Sequence, residues 1–137
     1  MAPKGRPNPS LYAVEVDFES RIWLGAGEGL FRVVDGEIRP ALRPRVRRPV
    51  YGLRVDPVGR LWIGTDRGVM RFDHETMRTY GAREGLAGQE INRDAMTLDD
   101  RGRLWIGTDT GVSRYDERLD VEVPPPRPEL VGLEVSG

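Results

Sequence analysis

The chain has no cysteine, which excludes disulfides, thiol catalysis and thiolate zinc sites together. Histidine is nearly missing too: His74 is the single one, and its place after Asp73 at a strand end reads as a solvated turn residue. Lys4 is the only lysine, every other base being arginine. That bias reads as genome composition, with extreme stability as the alternative. No apolar run approaches the roughly 18 residues of a membrane span, and none stands behind residues 1–9 at the length a signal peptide needs. Lys+Arg 21 against Asp+Glu 22 leaves a net charge of −1, so no global field draws the protein toward nucleic acid or anionic lipid. Neither a G-x-S-x-G elbow nor a D-x-D-x-D-G calcium loop is present.

What the 137 residues do contain is repetition. Asp99 to Asp116 reads D-D-R-G-R-L-W-I-G-T-D-T-G-V-S-R-Y-D, and Asp56 to Asp73 reads D-P-V-G-R-L-W-I-G-T-D-R-G-V-M-R-F-D, without a gap between them. A worn third copy runs from Asp17 to Asp35, through Arg21-Ile22-Trp23-Leu24-Gly25 and Gly29-Leu30-Phe31-Arg32. Trp23, Trp62 and Trp105 mark the phase at intervals of 39 and 43 residues, a period of solenoids, propellers and arrays.

Within a copy, the D-x-x-G segment is a turn in which Asp caps its own backbone and Gly takes a positive φ. The nearly unbroken apolar run Arg60-Leu61-Trp62-Ile63-Gly64 suits a strand covered on both faces. Thr65 to Gly68 turns the chain back, and Val69 to Asp73 alternates as a further strand. With Val50-Tyr51-Gly52-Leu53-Arg54-Val55 before it and Met77 to Tyr80 after it, one copy supplies four strands, the content of one propeller blade. The fold class expected is therefore all-β: three four-stranded antiparallel blades of a β-propeller, an incomplete ring, followed by a Pro-rich linker and one extra strand.

The expected organisation is a leader over 1–9, blade one over 10–39, a basic Pro-rich connector over 40–49, blade two over 50–81, a connector over 82–93 whose glycines disfavour helix, blade three over 94–123, and 124–137 as linker plus the opening of a further domain. The strands of blade three are placed at 94–98, 103–107, 112–115 and 119–123. Pro124-Pro125-Pro126 stops sheet pairing, and Glu129 to Val135 reads as a strand with no partner.

These residues resemble the two-component regulator propeller repeat, whose pattern is close to G-L-x-x-x-x-[IV] followed by D-x-x-G-x-[LI]-W-[IV]-G-T-x-x-G-[LV]-x-[RK]-[YF]. The likeness spans all three copies. The tail P-P-P-R-P-E-L-V-G-L-E-V-S-G is similar to the start of the small β-sandwich, of triple-Tyr type, that follows such propellers. The resemblance implies the periplasmic sensor region of a hybrid two-component histidine kinase, built from about seven blades, in which many members sense carbohydrate fragments. By the chain alone, with no leader or span in it, the expected compartment is cytoplasmic if the chain is complete. Blade one departs from the pattern, with Gly25-Ala26-Gly27-Glu28-Gly29 for G-T-D-x-G and Ser20 for the turn glycine.

Three blades do not close a ring, and each repeat needs neighbours to bury its faces. Two explanations stand open: a piece of a longer sensor whose missing blades complete the ring, or copies that assemble so that two chains make six blades.

Trp23, Trp62 and Trp105 sit mid-strand and are assigned to the blade core, against stacking on sugar rings. Asp66 and Asp109, one per turn, read as turn-capping devices. The one basic cluster is Arg43, Arg45, Arg47 and Arg48, expected to stand at the channel rim with Arg67 and Arg83. Forked, charge-assisted bonds from these arginines suit a carboxylate or sulfate of an acidic saccharide, and the competing reading is a solvated Arg-rich loop. No general base with a partner can be assembled, so no enzyme, cofactor or metal is expected, although the streptogramin lyases have a superficially similar Trp-containing blade. Nucleic acid is a poorer partner because no aromatics interleave the arginines. The function expected is ligand sensing without turnover. The alternative is a structural interaction module that completes a propeller with a partner or another copy, and neither involves membrane insertion by this chain.

Overall fold

In the computed structural model of the protein, residues 10–42, 45–116 and 135–136 are described. The leader at 1–9, Arg43, the strand expected at Leu119–Val123 and the Pro-rich spacer lie outside the described residues. The molecule is all-β: three antiparallel sheets, with a single 3₁₀ turn at Ala82–Glu84 as the helical element among the described residues.

The first sheet is a meander of β1 (Leu11–Val16), β2 (Ile22–Ala26), β3 (Gly29–Val34) and β4 (Glu37–Pro40). The second repeats it with β5 (Val50–Val55), β6 (Leu61–Thr65), β7 (Gly68–Asp73) and β8 (Thr76–Tyr80). In the third, β9 (Ile91–Leu98), β10 (Leu104–Thr108) and β11 (Gly111–Tyr115) follow in order, and β12 (Val135–Ser136) holds the outer position beside β11. Sequence places Leu119–Val123 in that outer position and leaves the segment ending at Val135 without a partner. The end of that last segment does find a partner, since Val112 pairs with Ser136 and Ser113 with Val135.

Pro40 ends an edge strand, the place in a sheet where a missing N–H costs least. The connector after β8 contains a short turn of helix where its glycines argue against one. Glu84 makes it possible, since its Oε1 accepts the Gly81 N–H at 2.6 Å and so satisfies a donor that the turn leaves open.

The D-x-x-G turns form as their chemistry requires. Asp56 Oδ1 accepts the N–H groups of Val58 and Arg60 at 3.1 and 2.9 Å, and Gly59 closes the turn with φ +93°. In the first copy Ser20 occupies the glycine position, and it adopts φ +64°. Its hairpin therefore keeps the geometry of the others, at the steric cost that a Cβ carries in the left-handed region.

The sheets lie face to face, and each interface has its own core. The Trp-bearing face of the first sheet, with Trp23 and Leu30, covers Leu53, Val55, Leu61 and Ile63 of the second. On its other face the second sheet lays Trp62, Val69 and Tyr80 against Met96, Leu104, Ile106 and Tyr115 of the third. The aromatic residue closing each copy meets the tryptophan of the copy before: Trp23 and Phe72 have ring centroids 6.2 Å apart, and Trp62 and Tyr115 4.7 Å. Inner-strand residues seat where a side chain is missing, since a Cβ on Gly25 would lie 2.6 Å from Val50 Cγ1 and one on Gly64 2.7 Å from Ile91 Cγ2. The first strands β1, β5 and β9 are neighbours on the inner side of the array.

Candidate ligand-binding site

Each tryptophan is held by a repeated three-residue device. Asp17 Oδ2 accepts the indole N–H of Trp23 at 2.9 Å and the guanidinium Nε–H of Arg21 at 2.6 Å. Asp56 binds Trp62 and Arg60 at 2.9 and 2.7 Å, and Asp99 binds Trp105 and Arg103 at 2.9 and 2.8 Å. The cross-strand neighbour of each indole is an arginine over its ring, Arg32 at 5.4 Å from the Trp23 centroid, Arg71 at 5.7 Å from Trp62 and Arg114 at 5.8 Å from Trp105. Trp23 and Trp62 are buried and Trp105, on the last sheet, is half-buried. With their polar atoms already engaged, these indoles are framework.

Burial pushes the Asp17 carboxyl up, but the indole of Trp23, the backbone and guanidinium N–H groups of Arg21 and the Glu19 N–H together hold it down at about 2. Asp99 lies well below the usual carboxylate range, chiefly through the Trp105 indole. Both carboxylates are thus charged acceptors at neutral pH, with no proton to give.

The turns between second and third strands are capped by threonine. Thr65 Oγ1 donates to Gly68 O at 2.9 Å and accepts Arg67 N–H at 3.1 Å, and Thr108 Oγ1 donates to Gly111 O at 3.0 Å. Asp66, which sequence assigns as the cap, is free to pair with Arg48 at 3.1 Å, and the Asp109 N–H donates to Glu90 O.

Of the six arginines expected at one rim, three line one cleft. Arg45, Arg47 and Arg48 border a concavity of about 490 Å³ over Leu42, Val46, Met70, Phe72 and Met77, with His74 and Glu75 at its edge. That volume is in the range of small-molecule sites. Arg45 and Arg47 are exposed, and Arg48 is half-buried by its ion pair with Asp66. Arg67 stands exposed in the β6–β7 turn and Arg83 in the 3₁₀ turn, and neither lines this cleft. A second concavity of about 400 Å³ lies between the D-x-x-G turns of the second and third sheets, where Arg60, Arg101 and Arg103 are matched by Asp56 and Asp116.

A third grouping escapes sequence reading. Where the inner strands meet, Tyr12 and Tyr51 have ring centroids 5.2 Å apart, and the Arg93 guanidinium lies 4.3 Å from the Tyr12 centroid. Burial, then the charge of Glu90, raises the Tyr51 hydroxyl above its ordinary range. Arg93 gets there by an insertion. Between Ile91↔Thr108 and Met96↔Ile106, β9 carries two residues more than β5 does between Val50↔Thr65 and Leu53↔Ile63, and Asp94 takes φ +55° within it. Among the described residues no group of three or more His, Cys, Asp or Glu is placed to hold a metal ion, and no helix is long and apolar enough to cross a membrane.

Residues 47–67 and 85–110 match the family model of the two component regulator propeller, so Arg47, Arg48 and Arg67 fall inside the matched stretches. Among solved structures, the extracellular domain of a hybrid two component system from B. thetaiotaomicron is similar over 77% of this chain and 15% of its own, at 24% identity and a TM-score of 0.65. A second such domain from the same organism matches over 84% of this chain and 17% of its own, at 20% identity and a TM-score of 0.59. Virginiamycin B lyase from Staphylococcus aureus, as a catalytically inactive histidine-to-alanine form with quinupristin, matches over 82% and 40%, at 15% identity and a TM-score of 0.60. The chain thus spans less than a fifth of the length of the sensor domains it matches. No curated protein matches it. At these identities the likeness carries the fold, and the fold is that of propeller blades similar to extracellular domains of two-component sensors.

Proposed function

We propose that this chain is a ligand-sensing part of an extracytoplasmic two-component sensor and binds an acidic saccharide without turnover. The observation that carries this reading is the cleft in which Arg45, Arg47 and Arg48 border the apolar surface of Met70, Phe72 and Met77. A sugar ring has apolar C–H faces, which suit a thioether and phenyl floor. A carboxylate or sulfate on that ring suits a fork of guanidinium donors, which bind planar anions in pairs of charge-assisted bonds. The match of residues 47–67 and 85–110 to the two component regulator propeller model supports the sensor part of this reading.

Binding without turnover rests on the chemistry at hand. The carboxylates of Asp17 and Asp99 are held charged by their indole and guanidinium donors, and His74 stands exposed with Asp73 at 3.9 Å as its acidic neighbour. The histidine whose replacement inactivates the virginiamycin lyase has no buried counterpart among the described residues.

Titration calorimetry with sulfated and uronate-containing oligosaccharides tests the reading, with neutral oligosaccharides of equal length as controls. Saturable binding of the acidic set is expected, weakening with added salt and falling at least about tenfold in Arg45→Ala/Arg47→Ala, the loss of one to two charge-assisted bonds. Arg48 is left intact because it also supports Asp66. Equal affinity in the double variant overturns the site, and silence from every acidic sugar overturns the ligand class.

A further inference from the structure

The inner strand of every sheet breaks its ladder at the same place. In β1 the register slips between Leu11↔Ala26 and Ala13↔Gly25, so Tyr12 is the residue without a partner on β2. In β5 it slips between Val50↔Thr65 and Gly52↔Gly64, which leaves out Tyr51. In β9 the residues between Ile91↔Thr108 and Met96↔Ile106 put Asn92, Arg93 and Asp94 at that position. A bulge re-aims the side chain it pushes out of the ladder, and here the three bulges converge. The Tyr12 and Tyr51 rings are 5.2 Å apart, and the Arg93 guanidinium of the third sheet reaches the Tyr12 ring of the first at 4.3 Å. Neither phenol hydroxyl, nor the Arg93 guanidinium, has a hydrogen-bond or ion-pair partner among the described residues. Beside them lies a concavity of about 210 Å³ lined by Tyr51, Glu90, Ile91, Asn92 and Arg93.

We propose that this concavity binds one neutral sugar ring, stacked on Tyr51. A pyranose has a flat C–H face and a rim of hydroxyls that each donate and accept, and the wall supplies a partner for each part. The Tyr51 ring, held against Tyr12, gives the apolar surface. Arg93 donates and the Glu90 carboxylate accepts. The Asn92 carbonyl is left to accept, because its amide N–H is given to Thr108 O at 3.0 Å. Burial, then the charge of Glu90, raises the Tyr51 hydroxyl, which therefore stays protonated at neutral pH and serves as donor and acceptor alike. Charge decides against an anion here. One arginine faces one carboxylate, so an anionic ring meets Glu90 as well as Arg93, and like charges at close quarters oppose it. The cleft over Met70 and Phe72 is different, with three arginines on its border, and the two sites share no residue. At this volume, below that of drug-sized sites, the ligand is a free monosaccharide or one unit of a longer chain. Its affinity is on the order of millimolar, too weak to register beside acidic ligands at micromolar concentration.

Saturation-transfer NMR with millimolar glucose, galactose or mannose, each beside its uronate, reads the site. Transfer to the ring C–H protons of at least one neutral hexose is expected, equally in the parent chain and in Arg45→Ala/Arg47→Ala. In that double variant, where the cleft no longer contributes, the matching uronate is expected to bind at least about fivefold more weakly than the hexose. Glu90→Gln added to it brings the uronate close to the hexose. Arg93 is exposed, so Arg93→Ala keeps the β-sheet circular dichroism of the parent, and it is expected to weaken the hexose roughly tenfold. Tyr51→Leu keeps bulk without the ring and is expected to cost about fivefold. Silence from every hexose overturns the proposal, as does unchanged affinity in Arg93→Ala. A hexose signal that vanishes with Arg45 and Arg47 belongs to the cleft and overturns this site while leaving that one. A uronate that binds the double variant as well as its hexose does overturns the neutral ligand.

Discussion

The aspartate at the head of each repeat shows how much one side chain can organise. Its Oδ1 holds the D-x-x-G turn and its Oδ2 holds the indole and the guanidinium of the following strand. Sequence shows the first role, since Asp before a turn glycine is a local signal. It does not show the second, because Asp17 and Trp23 meet only once the β1–β2 register is set. The reverse happened at Asp66, where a plausible local cap is displaced by Thr65, whose hydroxyl both donates and accepts within the turn and leaves the carboxylate to Arg48. Because the Asp17 carboxyl is held down at about 2, below the roughly 3.9 of an unfolded aspartate, the native state binds fewer protons than the unfolded chain between those values. Its contribution is complete above pH 4 and is lost as pH falls through about 2. Asp17→Asn, which keeps the shape but not the charge, is expected to cost about 2 kcal/mol at neutral pH and to flatten the decline below pH 4. Urea unfolding from pH 2 to pH 7 measures both. Parallel curves for the two proteins would remove Asp17 from the acid response.

Among the elements, the three hairpins around the tryptophans were legible because turn glycines, apolar runs and alternation all agree there. Ser20 broke the pattern without breaking the turn, since a backbone flanked by the Asp17 bonds imposes φ +64° on it. The inner strands were harder to read. The two extra residues of β9 have no sequence signature, because a bulge is defined by its partner strand, so sequence places Asn92 and Arg93 in a connector and does not show the Tyr12–Tyr51–Arg93 grouping. The arginine cluster was legible as charge, but its apolar floor was not, as Met70, Phe72 and Met77 are brought beneath Arg45 and Arg47 only by the docking of two sheets. That docking depends on missing side chains. A methyl at Gly64 would stand 2.7 Å from Ile91 Cγ2 and 2.8 Å from Met96 Sδ, and branched Ile91 has little rotamer freedom with which to yield. Gly64→Ala is therefore expected to destabilise by about 1–3 kcal/mol, read as a lower urea midpoint. A neutral substitution would mean that the second and third sheets are less tightly apposed than their cores imply.

At the scale of the molecule the array is asymmetric in a way no single repeat reveals. The three copies are alike in sequence, yet among the described residues only the middle sheet is covered on both faces, which leaves Trp62, Ile63, Val69 and Tyr80 fully buried. In a stacked array, stability is the sum of what each unit brings and what each interface adds, so the middle unit, with two interfaces, opens last. Amide hydrogen exchange makes this measurable, since protection follows the free energy of the opening that exposes each amide. β6 is therefore expected to exchange slowest, with β2 and β10 faster. Equal rates across β2, β6 and β10 would mean that the three sheets unfold as one unit, and the nearest-neighbour account of their stability would fall with that result.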